Sequence, residues 1–567
     1  MREGWPRRRK RGGGGGGGGG AGGGGGGGGG GPAIAPRAEV TPSARLAVVA
    51  AAAASRAAAL VLAVVADACL PDHLPYGALI PPIGAQCTLA RGPLRPFTRW
   101  DAAHFLLVAQ SGWREHEWSH AFFPLYPVLA SRLGAMLRFS WPWAMCESDS
   151  ILMAGLVLSN LSFVAAAIAL LELSRKVLGS DALAFRSAIL FCMSPATPFF
   201  SSFYSESLFA LFTFAGFLLL EIEHPAPWVA AISLSAASAT RANGILSTLL
   251  VAYHCVLRTS RGVNRSDETP LQDVLCTRML GYGCYRSSRW LGKAVVLLGQ
   301  CFLVVMPYIA WQMLGYRRFC TDESILDDGA STAPQDVPDW CTQSMAPDLY
   351  RHVQATHWGL GLFRFWKFKQ FPNFALAAAP LGLCYCASTT GFMQLWRRAI
   401  GERCKVTLRH GGGRNGEKDA LNSILSAPSS IVAYLFRRGR GTAAPPRPDT
   451  LPAMADIYLM HWAILTSFCL FFAHVQVMTR LVCAACPPFY WYLVRLTENS
   501  PIATGHGSNY AMAPKVQGAT ASVAHSNSGS RFAMGRMMRR RRMALACFLG
   551  LYAVGGTILH ANFFPWT

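Results

Sequence analysis

The sequence predicts an all-α polytopic membrane protein, and three observations carry that prediction. Hydrophobic residues make up 52% of the 567-residue chain and charged residues only 14%. Soluble chains carry about 25% charged residues, so this one has too little polar surface to solvate a folded exterior. Mean hydropathy is +0.26, and apolar runs close to the ~20 residues that cross a bilayer recur along the chain. The excess positive charge, +22 overall with a pI near 9.6, is gathered in short clusters between those runs. That is the mark of loops kept on the cytosolic side of a membrane. A nucleic-acid surface would instead concentrate its cations on one face or stripe, so nucleic acid is excluded as a partner and membrane lipid is implied.

Taken in order, residues 1–44 form a basic and then almost purely glycine tail. Such a tract buries nothing and is expected to be disordered. It has no strand before it and no Lys-Ser/Thr after it, so it is not a phosphate loop. The apolar run 46–65 is longer than a signal-peptide core and is followed by further spans, so it reads as a retained first span. The next spans are read at 151–173, 185–222, 228–257, 294–314, 374–396, 457–473, 481–496 and 543–563. The runs 185–222 and 228–257 are overlong, each one span or a broken pair, which gives about nine to eleven spans. The stretch 122–137, opened by Pro124 and Pro127, reads as lying along the membrane surface.

With a cytosolic N-terminus, parity makes 70–150 a large first lumenal loop and puts the basic stretch 258–293 in the cytosol. Residues 316–372 then fall in the lumen, and 474–480 form the lumenal tip of a hairpin. The polar stretches at about 401–452 and 498–542 read as disordered cytosolic inserts. Each basic cluster falls where the positive-inside rule places it.

The 17 cysteines are too scattered for a zinc finger or a compact disulfide scaffold. Cys192, Cys301, Cys384, Cys469 and Cys547 sit inside apolar runs and read as small apolar side chains. Cys320 and Cys341 flank an acidic polar loop, where a lumenal setting would allow a disulfide.

Four constellations carry chemistry. In the first loop, Arg99-Trp100-Asp101-Ala102-Ala103-His104 puts Asp101 and His104 on one face of a helical turn. A carboxylate there suits proton abstraction from a sugar hydroxyl; an ordinary helix cap reads equally well from the spacing. His116-Glu117-Trp118-Ser119-His120 fits the zinc-protease pattern, which needs an α-helix with both histidines on one face; a solvated loop is the plainer reading. Glu206 and the Arg241–Asn243 stretch put ionisable groups in or beside apolar runs, where they pair with each other or line a substrate pocket. The tip His474-Val475-Gln476-Val477-Met478-Thr479-Arg480 offers a guanidinium that can hold a lipid phosphate through two hydrogen bonds. A snorkelling arginine is the alternative.

Trp100-Asp101-Ala102-Ala103-His104-Phe105-Leu106 with Ala121-Phe122-Phe123-Pro124 resembles the first lumenal loop of the PIG-V family, the second mannosyltransferase of GPI-anchor synthesis. Further matches follow in family order: Ser194-Pro195-Ala196 through Tyr204-Ser205-Glu206-Ser207, Thr240-Arg241-Ala242-Asn243-Gly244, and Trp358-Gly359-Leu360-Gly361 to Phe368-Lys369-Gln370-Phe371-Pro372-Asn373-Phe374. His474-Val475-Gln476-Val477 with Thr479-Arg480 comes next, and Phe563-Phe564-Pro565-Trp566-Thr567 closes the series. The resemblance covers residues 46–567. The polar inserts and the glycine tail depart from the family pattern.

The resemblance implies a GT-C-type transmembrane bundle in the endoplasmic reticulum membrane, dolichyl-phosphate-mannose as donor and mannosyl-glucosaminyl-phosphatidylinositol as acceptor. It implies transfer of an α1,6-linked mannose with inversion. Asp101 would be the base and His104 would orient it or the acceptor. Arg480, with Arg241 beside it, would hold the departing phosphate, with Trp100, Glu206, Asn243, His474 and Gln476 around the substrates. No metal and no cofactor beyond the lipid donor is expected, and a small membrane subunit is left open. The rival functions are a sibling dolichol-linked mannosyltransferase, a transporter, which would show internal repeats, and an intramembrane metalloprotease.

Overall fold

The computed structural model describes residues 42–73, 83–84, 86–113, 116–140, 145–222, 226–261, 284–321, 338–342, 348–410, 451–498 and 523–564. The glycine-rich tail, the central parts of both polar inserts (411–450 and 499–522) and Pro565–Thr567 of the last motif lie outside the described residues. Numbered in chain order among those described, the helices begin with α1 (Pro42–Cys69), α2 (Thr88–Arg91), α3 (Asp101–Ser111), α4 (Leu125–Ser140), α5 (Glu147–Leu178), α6 (Asp181–Cys192), α7 (Thr197–Ser201), α8 (Glu206–Glu221), α9 (Pro227–Thr240) and α10 (Thr248–Arg261). They continue with α11 (Cys284–Cys320), α12 (Asp339–Thr342), α13 (Leu349–Thr356), α14 (Phe371–His410), α15 (Asp456–Phe472), α16 (Val475–Ala485), α17 (Pro487–Leu496), α18 (Val523–Gly550) and, after a single π-turn, α19 (Gly556–Ala561). The expectation of an all-α membrane protein holds: the described residues contain no strand.

Among the described residues, fewer single helices are long and apolar enough to cross a membrane than the nine to eleven spans read from the sequence. Pro42–Cys69, Glu147–Leu178, Leu291–Cys320, Phe368–Arg397 and Arg539–Ala561 are long and apolar enough to cross a membrane, and α16 with α17, bent by 90°, makes a sixth if taken together. The rest of the apolar sequence is cut into shorter helices. Both overlong runs are broken: 185–222 at the loops around α7, and 228–257 at a 3-10 turn, Ala242–Ser247. The polar inserts also shrink, because α14 continues to His410 and α18 starts at Val523. The stretch 122–137 is helical from Leu125 on, in α4, with Tyr126 fully buried.

The breaks on either side of α7 have backbone groups satisfied by distant side chains, as an apolar surrounding demands. The α6–α7 break frees carbonyls that the buried Arg56 of α1 collects. Its Nη1 donates to Thr197 O and Ser201 Oγ, its Nη2 reaches Cys192 O, and its guanidinium lies 3.9 Å over the Phe163 ring. The turn between α7 and α8 is pinned from α5, where Ser159 Oγ donates to Tyr204 O at 3.1 Å. Gly155 lets this turn approach, since a Cβ there would fall 2.1 Å from the Phe203 ring. Helix α5 ends conventionally, with Gly179 in the left-handed conformation (φ 67°) returning its N–H to Arg175 O.

The first loop is fastened to both ends of the fold. Cys87 is joined to Cys146, the N-cap of α5, and Asp149 accepts from the N–H groups of Leu89 and Ala90. Arg99, 2% exposed, pairs with Asp67 of α1 and with Asp72 just beyond it, donates to Ala561 O of α19 and covers the Phe563 ring at 4.3 Å. Cys320 and Cys341 are joined as well, so the pairing allowed by the sequence is present. The outer faces stay apolar: Val61 in α1, Leu298 in α11 and Leu551 are 63%, 67% and 68% exposed, the pattern of helices that meet lipid.

Candidate active site

Trp100 precedes α3 with φ 58° and ψ −133°, a conformation that an L side chain adopts only under constraint. The constraint is the Arg99 anchor on one side and, on the other, the Trp100 ring beside Phe563 at 5.9 Å. Phe563 also has positive φ, 59°. The turn makes Asp101 the first residue of α3. The helix-cap alternative for Asp101 therefore does not apply: Trp100 occupies the cap position, and the Asp101 carboxylate is turned to a side-chain partner.

That partner is Arg480 of α16, whose Nη1 lies 2.7 Å from Asp101 Oδ2. Arg480 also stands over the rings of Phe199 and Tyr204, at 5.3 and 5.9 Å. Its Nε lies 3.7 Å from Glu206 Oε1, and the same Oε1 accepts from Arg241 Nη1 at 2.6 Å, which also reaches Ser205 Oγ. Two carboxylates and two guanidiniums thus alternate as Asp101, Arg480, Glu206, Arg241. Glu206 is fully buried; an unpaired carboxylate there would be prohibitive, and two cations compensate it. Arg241 is set by the 3-10 turn behind it, where Gly244 packs so closely on α9 that a Cβ would lie 2.6 Å from Ser238 N.

A cavity of about 120 Å³ opens over Asp101 and Arg480, lined further by Trp100, Phe199, Tyr204, Gln476, Val477 and His560. Burial pushes the Asp101 carboxyl up, but the charge and hydrogen bond of Arg480, then His104 and Arg241, outweigh it and hold it below the usual carboxylate range. Asp101 is therefore ionised at neutral pH. His104, one turn along α3, stacks with Phe122 at 5.3 Å and meets the edge of Trp118 at 4.8 Å. Burial lowers its pKa, with Asp101 opposing, so it is neutral at pH 7.

The remaining predicted residues take indirect positions. Glu206 and Arg241 pair with each other behind Arg480 and do not line the cavity. Gln476 does line it and donates to Asn373 Oδ1 at 2.8 Å. His474 bonds Trp358 O at 2.6 Å and packs on Phe365, which seats the start of α16. Asn243 is not among the lining residues, and its Nδ2 is buried with no hydrogen-bond partner. The sequence reading missed the pocket roles of Tyr204, Phe199, Val477 and His560. Tyr204 stood in a quoted motif, but nothing in the sequence marks His560, whose Nε2 comes within 3.4 Å of the Tyr204 hydroxyl from a helix 356 residues away.

The zinc-protease pattern is not realised. Residues 117–121 form a 3-10 turn, which does not put the two histidines on one α-helical face. Glu117 accepts from Trp340 Nε1, and the His120 ring stacks on Trp311 at 4.8 Å. Burial, with the charge of Arg318 second, pushes His120 down to about 4. Among the described residues, the one group of three metal-capable side chains is Cys87, Cys146 and Asp149, and its two cysteines are bonded to each other.

A family model described as "Mannosyltransferase (PIG-V)" matches residues 48–567. The chain is similar to GPI alpha-1,6-mannosyltransferase 2 of Cricetulus griseus, 27% identical over 537 residues, covering 90% of this chain and 96% of the relative. It is similar to the Homo sapiens protein of that name, 26% identical over 535 residues with the same coverage. It is also similar to GPI mannosyltransferase 2 of Drosophila melanogaster, 24% identical over 539 residues, again covering 90% and 96%. No solved structure matches.

Proposed function

The chain belongs to the PIG-V mannosyltransferase family, and from that membership we propose that it transfers the second mannose, in α1,6 linkage, from dolichyl-phosphate-mannose to mannosyl-glucosaminyl-phosphatidylinositol at the lumenal face of the endoplasmic reticulum membrane. The observation that carries this reading is the Asp101–Arg480 pair at 2.7 Å on the wall of one cavity. A carboxylate to receive the hydroxyl proton and a cation to receive the leaving phosphate are the two groups that displacement at a sugar phosphate requires.

In this reading the O6 hydroxyl of the acceptor mannose gives its proton to Asp101 as its oxygen bonds to C1 of the donor mannose. The C1–O bond to the phosphate breaks, and its electron pair leaves with dolichyl phosphate. Attack opposite the leaving group inverts the anomeric centre. Phosphate is a good leaving group, so no separate acid is needed. Arg480 stabilises the charge that develops on it. His104 helps set Asp101 from the far side of the turn, Trp100 and Gln476 contact the sugars from the cavity wall, and Glu206 with Arg241 holds Arg480 in place. His474 acts through the seating of α16.

Complementation tests the assignment. Expression in cells arrested at successive GPI steps should restore surface GPI-anchored proteins only where the second mannose is missing. Rescue at a different step, with the stalled glycolipid identified by chromatography, would assign the chain to a sibling reaction.

A further inference from the structure

Arg480 is shared between two carboxylates of different standing. Glu206 is fully buried, already bound to Arg241 at 2.6 Å, and sealed from the cavity. Asp101 lines the cavity with its side chain 31% exposed. Arg480 gives its Nη1 to Asp101, while its Nε faces Glu206 at 3.7 Å and makes no hydrogen bond; Glu206 Oε2 makes none either. The guanidinium therefore has a fixed anchor behind it and an exchangeable partner in front. The Arg480 Nε–H and Glu206 Oε2 stand in reserve and can close on each other when the front contact is given up.

We propose that the phosphate of the lipid-linked donor takes Arg480 from Asp101, so that the base is released only in a chain already loaded with donor. This rests on the reading of Asp101 as base and Arg480 as phosphate ligand. A phosphodiester anion in the cavity competes with the Asp101 carboxylate for the same Nη groups, and a guanidinium binds phosphate at least as readily, through two parallel hydrogen bonds. While paired, Asp101 is a weak proton acceptor because its charge is already compensated. Once Arg480 turns to the phosphate, held from behind by Glu206, the carboxylate recovers its basicity and an open lone pair for the acceptor hydroxyl. The acceptor O–H proton passes to Asp101 Oδ2 as the new C–O bond forms, and the electron pair of the broken C1–O bond goes to the phosphate that Arg480 now holds. When dolichyl phosphate leaves, Arg480 returns to Asp101 and the carboxyl gives its proton to solvent water entering the emptied cavity. Donor binding and acceptor binding are thus coupled, donor first.

Binding of radiolabelled dolichyl-phosphate-mannose to the purified full-length chain tests this. Asp101→Asn removes the competitor for Arg480 and should bind donor about fivefold tighter or more, while Asp101→Glu, which keeps the charge, should bind as the unmodified chain does. Donor affinity of Asp101→Asn equal to or weaker than the unmodified chain would overturn the exchange. A measurement that needs no variant runs beside it. An acceptor lacking the attacked 6-hydroxyl should inhibit the unmodified enzyme uncompetitively against donor; competitive or mixed inhibition contradicts donor-first coupling. The two levels separate cleanly. Asp101→Asn inactive yet no tighter for donor leaves the base in place and removes only the exchange, whereas Asp101→Asn active at the normal rate removes the base itself.

Discussion

Arg480 Nη1 and Asp101 Oδ2 meet at 2.7 Å although 379 residues separate them in the chain. The contact joins the strained turn before α3 to α16, the helix that residues 475–480 begin. Around it the molecule balances two buried or half-buried carboxylates against two guanidiniums, and most of what can be tested follows from that balance.

Glu206 is the member whose loss is felt most in stability. Glu206→Gln leaves Arg241 and Arg480, 16% and 14% exposed, facing a neutral amide. Removing one partner of a buried pair costs about 3–5 kcal/mol. Thermal unfolding in detergent should show a clear drop for Glu206→Gln and partial recovery in the double variant with Arg241→Gln, because the second change removes the uncompensated cation. Equal and additive losses would mean that the two side chains do not act as a pair.

The two disulfides close loops of different size, with sequence separations of 59 and 21. Loop-closure entropy then gives about 4 kcal/mol for Cys87–Cys146 and about 3 kcal/mol for Cys320–Cys341. Peptide mapping without reductant should recover both bridges, and Cys87→Ser should lower the melting temperature more than Cys341→Ser. Free thiols at Cys87 and Cys146 would contradict the fold of the first loop.

Asp101 also imposes a pH dependence on stability. Its carboxyl is held below the usual range, so the folded chain binds this proton less readily than the unfolded one. The stabilisation is fully present above the unfolded value of about 3.9 and is lost as pH falls through the lower, folded value. Between pH 6 and pH 3 the melting temperature of the unmodified chain should fall more steeply than that of Asp101→Asn. Parallel curves would show that the carboxylate gains nothing from Arg480.

Sidedness can be read by glycan tagging. An acceptor sequon placed beside Gly112, between α3 and the Glu117–Ala121 turn, should be glycosylated. The natural triplet Asn264-Arg265-Ser266, in the basic stretch assigned to the cytosol, should stay bare. The reverse pattern would put Asp101 on the wrong side for dolichol-linked donors.

The sequence was a good guide to what repeats or stands out chemically. Low charge and long apolar runs made the membrane class legible, and charged residues in apolar surroundings drew attention to Asp101, Glu206, Arg241 and Arg480, all of which meet in one network. It was a poor guide to breaks inside apolar runs. Hydropathy registers neither the turn at Ala242–Ser247 nor the breaks on either side of α7, which are stabilised by distant groups: the buried Arg56 before it and Ser159 after it. Arg56, inside an Ala/Val-rich run, went unremarked because its partners are backbone carbonyls that no motif displays. Cys87–Cys146 and the place of His560 in the cavity were invisible for the same reason: each depends on tertiary proximity between segments with no shared local signal.

Single-turnover transfer by purified Asp101→Asn, with radiolabelled dolichyl-phosphate-mannose and the natural acceptor in excess, tests the central claim most directly. The account predicts a folded chain that still binds donor and transfers mannose at least about a hundredfold more slowly. Transfer at the unmodified rate would contradict it.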